Sequence, residues 1–211
     1  KPTSAQLVKR RDGRYFLHVQ LTDLAPDSIA TTDTIGVDLG VKHLAVTDDG
    51  QIFSGDGVDT CRQRYGVLRK VLNQCGSKSA RRHLRQIRRR EANFRRDQNH
   101  IISKRIVAKA KDTGRAIALE NLEGIGDRTT ARKAERNRLK GWAFYQLRSF
   151  ISYKGLQIGI PIILVDPRNT SRTCSVCGHC EKANRKSRDA FLCKHCGYSA
   201  PADWNAAKNI R

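Results

Sequence analysis

The chain has 211 residues, 38% of them hydrophobic, enough for one sizeable core and little more. Its 41 Lys and Arg against 20 Asp and Glu leave a net charge of +21. That excludes an ordinary small-metabolite enzyme surface and points to a polyanionic partner, nucleic acid first. No run of about 18 apolar residues occurs, so no transmembrane helix is expected. Nor does any amphipathic stretch carry the aromatic belt that would suit anionic lipid. The sequence holds no methionine and opens on Lys1-Pro2-Thr3, from which a shortened or processed form without a signal peptide is expected.

In chain order, residues 5–24 alternate apolar and polar side chains (Leu7, then Tyr15, Leu17, Val19 and Leu21) around Asp12-Gly13, which predicts a β-hairpin. Residues 34–55 predict an antiparallel meander of three strands: Ile35 and Val37 in the first, Leu44-Ala45-Val46 in the second, Ile52-Phe53 in the third. Asp49-Gly50 supplies the second turn, and an acid, Asp38, sits in the first strand. Residues 59–113 predict a long basic helical hairpin broken at Gly76-Ser77-Lys78-Ser79. Its thin apolar stripe is Leu68, Val71 and Leu72, then Leu84, Ile87, Phe94 and Ile101.

The run Ala116-Ile117-Ala118-Leu119 predicts a buried central strand ending in Glu120. A basic linker follows over 128–140. An amphipathic helix is then marked by Trp142, Tyr145, Leu147, Phe150 and Ile151, and 161–165 reads as a second buried strand. The aromatics Trp142, Phe144 and Tyr145 are expected in the core rather than as base-stacking platforms. A cysteine-rich segment spans 172–198, and 203–210 closes as a helix carrying Trp204, to which the pattern assigns no place. Strands alternating with helices indicate an α/β core.

Two constellations carry chemistry. Cys174-Ser175-Val176-Cys177 and Cys193-Lys194-His195-Cys196 are each followed at once by a glycine, Gly178 and Gly197. Such turns direct backbone N–H groups at thiolates, and two of them complete a tetrahedral four-cysteine zinc site. A ribbon so poor in apolar residues would take much of its folding free energy from the metal. His179, Cys180 and His195 are surplus to that set, and Cys61 and Cys75 read as ordinary helix residues. The second constellation is dispersed: Asp38 and Glu120 abut the apolar runs IGVD and IALE, and Asp203 opens the last helix. Asp203 taken alone would be a helix N-cap. A carboxylate beside buried strands is costly unless neutralised. Three carboxylates around two Mg²⁺ ions would instead suit phosphodiester hydrolysis. On the basic hairpin, Arg81, Arg82, Arg85, Arg88, Arg89, Arg95 and Arg96 recur with hardly any acids beside them, so they are expected to contact nucleic-acid phosphates.

The motifs GVDLGVKHLAV, ALENL, CSVCG with FLCKHCG, and ADWNAAKNI resemble, in this order, the nuclease half of TnpB proteins. These are transposon-encoded, RNA-guided nucleases related to miniature type V CRISPR effectors. The resemblance covers about residues 5–211. It implies an RNase H-like (RuvC-like) α/β fold with a mixed sheet, a basic helical insertion at about 59–113 and an inserted four-cysteine zinc ribbon. It also implies three units: the end of a wedge-like β domain at 1–30, a nuclease domain at 31–171 with 199–211, and the ribbon at 172–198. In it Asp38, Glu120 and Asp203 take the catalytic, magnesium-binding positions, and Cys174, Cys177, Cys193 and Cys196 the zinc positions. The implied activity is a Mg²⁺-dependent DNA endonuclease working by a two-metal mechanism, with guide RNA and DNA as partners in the parent protein. A prokaryotic-type, cytoplasmic location goes with it. Two positions depart from the family pattern: Asn169, where an aromatic residue is common, and Pro201, just ahead of the last acid.

Two other readings compete. A non-catalytic zinc-ribbon binder of nucleic acid explains the charge and the cysteines but leaves the three acids without a role. GVDLGVK also resembles the phosphate loop of sugar kinases and heat-shock ATPases, but no second glycine-rich nucleotide turn follows it.

Overall fold

The structure, a computed structural model, describes residues 1–10, 13–22, 26–121 and 144–211. Asp12, the basic stretch 128–140 and Trp142 lie outside the described residues. The first hairpin forms as its alternation predicts: β1 (Pro2–Lys9) and β2 (Tyr15–Leu21) pair antiparallel, Leu7 opposite Leu17 and Ala5 opposite Val19.

The central sheet is mixed. β3 (Thr34–Asp38), β4 (His43–Thr47) and β5 (Ile52–Ser54) form the expected antiparallel meander. β6 (Ala116–Glu120) then joins β3 in parallel, and β7 (Ile162–Val165) joins β6 in parallel, giving the order β5-β4-β3-β6-β7. β6 is the buried central strand that its apolar run predicts, because β3 and β7 flank it. The expectation of a second buried strand at 161–165 is corrected. β7 is an edge strand among the described residues, and Ile163 and Leu164 stay 43% and 45% exposed.

Between β5 and β6 the chain forms the basic hairpin of α1 (Asp56–Cys75) and α2 (Lys78–Thr113). Gly76 ends α1 at a φ of 64°, and the Ser77 hydroxyl accepts from the Ala80 N–H to start α2. The predicted stripe needs correcting at two positions. Val71 is 55% exposed, and Ile101 is 46% exposed while its neighbour Ile102 is buried. The reason is a change of partner along α2. Its first half runs along α1, with Phe94 reaching the edge of the core, whereas Ile102, Ile106, Val107 and Ala110 turn to the sheet. They pack on Ile35, Val37, Ile117 and Leu119, and on Leu147 and Ile151 of α3 (Phe144–Gln157). In α3 the spacing of four between Leu147 and Ile151 selects the inward face, and Tyr145, expected in the core, faces out.

The opposite face of the sheet receives α4 (Ala202–Ile210), whose Ala206, Ala207 and Ile210 are buried. Gly36 makes this possible: a Cβ there would lie 2.0 Å from the Ala207 carbonyl oxygen. Between β7 and α4 lies the cysteine-rich segment, with a two-stranded sheet of β8 (Ala190–Leu192) and β9 (Ser199–Pro201). Pro201 is accommodated there, ending β9 opposite Ala190 and preceding α4 with a φ of −55°. No helix among the described residues is long and apolar enough to cross a membrane.

Candidate active site and metal centre

Strand periodicity gathers the first two acids. Side chains alternate between faces, so Ile35 and Val37 enter the core while Gly36 and Asp38 face α4. On β6 Ile117 and Leu119 do the same, leaving Ala118 and Glu120 on the α4 side. The parallel register matches Gly36 with Ala118 and Val37 with Leu119, so Asp38 and Glu120 end neighbouring strands side by side. α4, lying on this face, brings Asp203 in its first turn. All three carboxylates line one open cavity of about 320 Å³.

Burial, followed by the charges of Glu120 and Asp203, pushes the Asp38 carboxyl up to about 8. Burial also raises Glu120, against the pull of the Thr170 hydroxyl, which donates to Oε1, and of nearby Arg185. Asp203 is not the N-cap of its helix. Pro201 holds that position, and the Asp203 carboxylate meets His43 instead, with Nδ1 2.9 Å from Oδ2. With Asp203 ionised, its carboxylate can only accept, and the bond then requires a proton on His43 Nδ1. At Asp38 the charges of Glu120 and Asp203 add to the burial penalty, and a divalent cation would relieve both.

Groups that sequence patterns did not single out complete the cavity. Lys42, Arg185 and Arg188 contribute positive charge, and Lys42 pairs with Asp189 at 2.8 Å. Arg185, Arg188 and Asp189 come from the basic run between the two cysteine pairs, a run whose charge alone could have drawn attention. Thr170 arrives through a tight turn. Asn169 sits at a φ of 65°, and its carbonyl accepts from the N–H groups of Arg172 and Thr173 at 2.9 Å each. Asparagine tolerates that left-handed backbone where a bulky aromatic would be strained.

The cysteines form the second site. Among the described residues, Cys174, Cys177, Cys193 and Cys196 are the one group of possible ligands whose donor atoms all lie within 4.8 Å of one another. Cys174 and Cys196 sulfurs are 3.7 Å apart, and those of Cys177 and Cys193 3.6 Å. Four sulfurs at about 2.3 Å from a tetrahedral zinc would stand about 3.8 Å apart, so the spacing fits. The two halves repeat one geometry. Gly178 and Gly197 take φ values of 72° and 74°, and their N–H groups return to the carbonyls of Cys174 and Cys193. The buried Asn184 ties the halves together: its amide donates to the Arg172 and His179 carbonyls and accepts from the Lys194 N–H. Desolvation opposes the Cys193 thiolate, but the N–H groups of Cys196 and His195 and the adjacent thiols pull it down to about 6. At Cys177 the His179 N–H favours the thiolate, yet desolvation and three neighbouring sulfurs push the thiol up to about 12. His179 and His195 stack on each other at 5.4 Å beside this group without joining it.

Along α2, Arg81, Arg85, Arg88 and Arg96 recur at helical spacing on an exposed arc, with Arg82 and Arg89 beside them. Arg95 differs from these, being half-buried. Glu91 is bonded to Arg69 of α1, so it does not offset the stripe. Trp204, which sequence left without a place, donates its indole N–H to the Asp48 carbonyl at 2.8 Å and lies under Lys208.

Comparison with known proteins is consistent across three kinds of relative. Residues 144–210 match the family described as Cas12f1-like, TNB domain. The CRISPR-associated endodeoxyribonuclease Cas12f1 of Sulfoacidibacillus thermotolerans is 40% identical over 219 residues, covering 95% of this chain and 50% of the relative. That of Syntrophomonas palmitatica is 32% identical, covering 92% and 42%. The putative RNA-guided DNA endonuclease InsQ of Escherichia coli is 28% identical, covering 96% and 54%. The chain therefore spans about half the length of the curated relatives it matches. In fold it is similar to Cas12f1 in a cryo-EM complex with sgRNA and target DNA, with a TM-score of 0.68 and 24% identity over 98% of this chain and 55% of that one.

Proposed function

The chain belongs to the TnpB family, and from that premise we propose that it is the catalytic portion of an RNA-guided DNA endonuclease. In this reading residues 31–171 with 199–211 form an RNase H-like (RuvC-like) nuclease domain, 172–198 a zinc ribbon, and 1–30 the end of a wedge-like domain. DNA is the substrate and guide RNA the partner of the whole protein, in an intracellular, prokaryotic-type setting. The observation that carries the proposal is the meeting of Asp38, Glu120 and Asp203 on one cavity edged by Lys42, Arg185 and Arg188.

Two magnesium ions shared by these carboxylates would supply the activation of water and the stabilisation of the leaving oxygen that phosphodiester cleavage needs. The chain's own groups do the rest. His43 fixes the Asp203 carboxylate and Thr170 that of Glu120, so both point into the cavity. The cationic rim attracts the substrate phosphates, and the α2 arginines extend that field along the strand. Zinc on Cys174, Cys177, Cys193 and Cys196 would hold the loop that carries Arg185 and Arg188 against the cavity.

The test is cleavage of target DNA by the guide-loaded protein that contains this chain. Asp38→Ala and Glu120→Ala are each expected to abolish cutting while DNA binding persists. Undiminished cutting would overturn the assignment. Tight binding with no cutting under any divalent metal, in the unsubstituted protein, would favour a non-catalytic binder.

A further inference from the structure

The last helix carries two asparagines one turn apart, and both turn toward the chain that enters the ribbon. Asn205 is fully buried. Its amide donates to the Thr173 carbonyl at 2.8 Å, and its oxygen accepts from the Ser175 N–H at 3.1 Å, so it brackets Cys174. Asn209 uses its one amide nitrogen twice, donating to the Thr170 and Thr173 carbonyls at 2.7 Å each. Two carbonyl partners fix which end of the side chain is the nitrogen, since the oxygen would meet only acceptors there. The same Thr170 whose carbonyl Asn209 holds donates its hydroxyl to Glu120.

A continuous path thus runs from the first cysteine knuckle, through α4, to a carboxylate of the cavity. Hydrophobic packing cannot supply this, because residues 167–173 are half-buried or exposed along their whole length. The loop takes its place from directional bonds: the Asn169 turn at one side and the Asn209 amide at the other.

We propose that Asn209 is a positioning residue for Glu120, holding the Thr170 turn so that its hydroxyl aims the carboxylate, and that it thereby couples the four-cysteine ribbon to the acidic cavity. This rests on the reading of Asp38, Glu120 and Asp203 as metal-holding carboxylates. Losing an outer partner of a metal-binding carboxylate typically weakens metal affinity 10- to 100-fold, which sets the scale of the effect, about tenfold.

The experiment is Mn²⁺ binding to the zinc-loaded chain, followed by electron paramagnetic resonance of the free ion, with zinc content measured alongside. Asn209→Ala and Thr170→Val are each expected to raise the Mn²⁺ Kd about tenfold, and Thr170→Ser, which restores the hydroxyl, to return it to the original value. Because both residues act through one route, the double variant should bind no more weakly than either single one. Zinc should remain bound throughout the Thr170 series. Unchanged Mn²⁺ affinity in Thr170→Val, or additive losses in the double variant, would overturn the coupling. Should Asn209→Ala shed its zinc or melt, the Thr170→Val and Thr170→Ser pair decides alone. Glu120→Gln serves as the control: if it leaves Mn²⁺ binding untouched, the carboxylate reading itself falls, and the proposal with it.

Discussion

The four-cysteine group and the three-carboxylate cavity are both candidate metal sites, yet the chain builds them in opposite ways. The cysteines come in two short repeats, and their sulfurs close to within 4.8 Å of one another. The carboxylates come from two strands and a helix far apart in sequence, and they share a cavity without closing to that span. Charge explains the difference. Thiols that keep their protons, as Cys177 does, are neutral and can crowd around Cys193, which ionises first, each half steered by local turns at Gly178 and Gly197. Ionised carboxylates repel, and only the sheet and α4 hold them together, at the cost of an Asp38 proton retained up to about 8. A local motif makes a compact site; a tertiary one makes a site under electrostatic strain that a cation would relieve.

The comparison can be broken most directly at the ribbon. Cys193→Ser should abolish zinc binding and, with it, protease resistance of 172–198, since structural zinc contributes about 10–16 kcal/mol in isolated zinc-finger peptides. Far-UV circular dichroism should still report the helices and the central sheet, whose core shares no residue with the ribbon's small cluster of Cys174, Phe191, Cys193 and Ala202. Loss of the whole fold would show that the two sites are not separately built.

A smaller effect, of opposite character, is expected at the cavity. Asp38 binds its proton more tightly folded than unfolded, so its own contribution to folding stability in magnesium-free buffer is full below about pH 4 and is lost as pH rises toward about 8. Asp38→Asn should flatten that decline in Tm against pH, and added Mg²⁺ should restore Tm at pH 8 in the original chain only. Matching Tm-against-pH profiles in the original and Asp38→Asn chains would contradict the crowded-acid description.

The smallest change sharpens the contrast by touching neither site. Replacing Arg85 and Arg88 by alanine should leave zinc content and Mn²⁺ affinity as they were. The slope of log affinity for DNA against log salt should become shallower by about 1.4 to 1.8. An unaltered slope would remove α2 from the nucleic-acid surface.

How much of this was legible beforehand follows the same division. The knuckles could be read from spacing, because each cysteine pair and its glycine lie within one turn of chain. Asp38 and Glu120 were legible as acids at the ends of apolar runs, an arrangement that is costly unless something is bound. The β-meander, the basic hairpin and β6 also followed from periodicity. The exposure of Ile163 and Leu164 did not, since an apolar run looks the same in an edge strand as in a central one. The inward face of α2 was misjudged at Ile101 because its packing partner changes midway, which no single helical period can express. His43, Thr170 and Asn209 carried no signal of their own, as common polar residues whose role depends on what lies opposite, and Arg185 was marked only by the charge of its run.

The sequence by itself determined the basic surface, the paired cysteine turns and the acids that end two buried strands, because these depend on composition and on residues close together in the chain. Only the tertiary structure decided that Asp38 and Glu120 stand side by side, that Asp203 faces them with His43 behind it, and that the ribbon reaches Glu120 through Asn209 and Thr170. Those facts turn on strand register and on the close seat of α4 over Gly36, and contacts between distant segments are fixed by packing rather than by spacing along the chain.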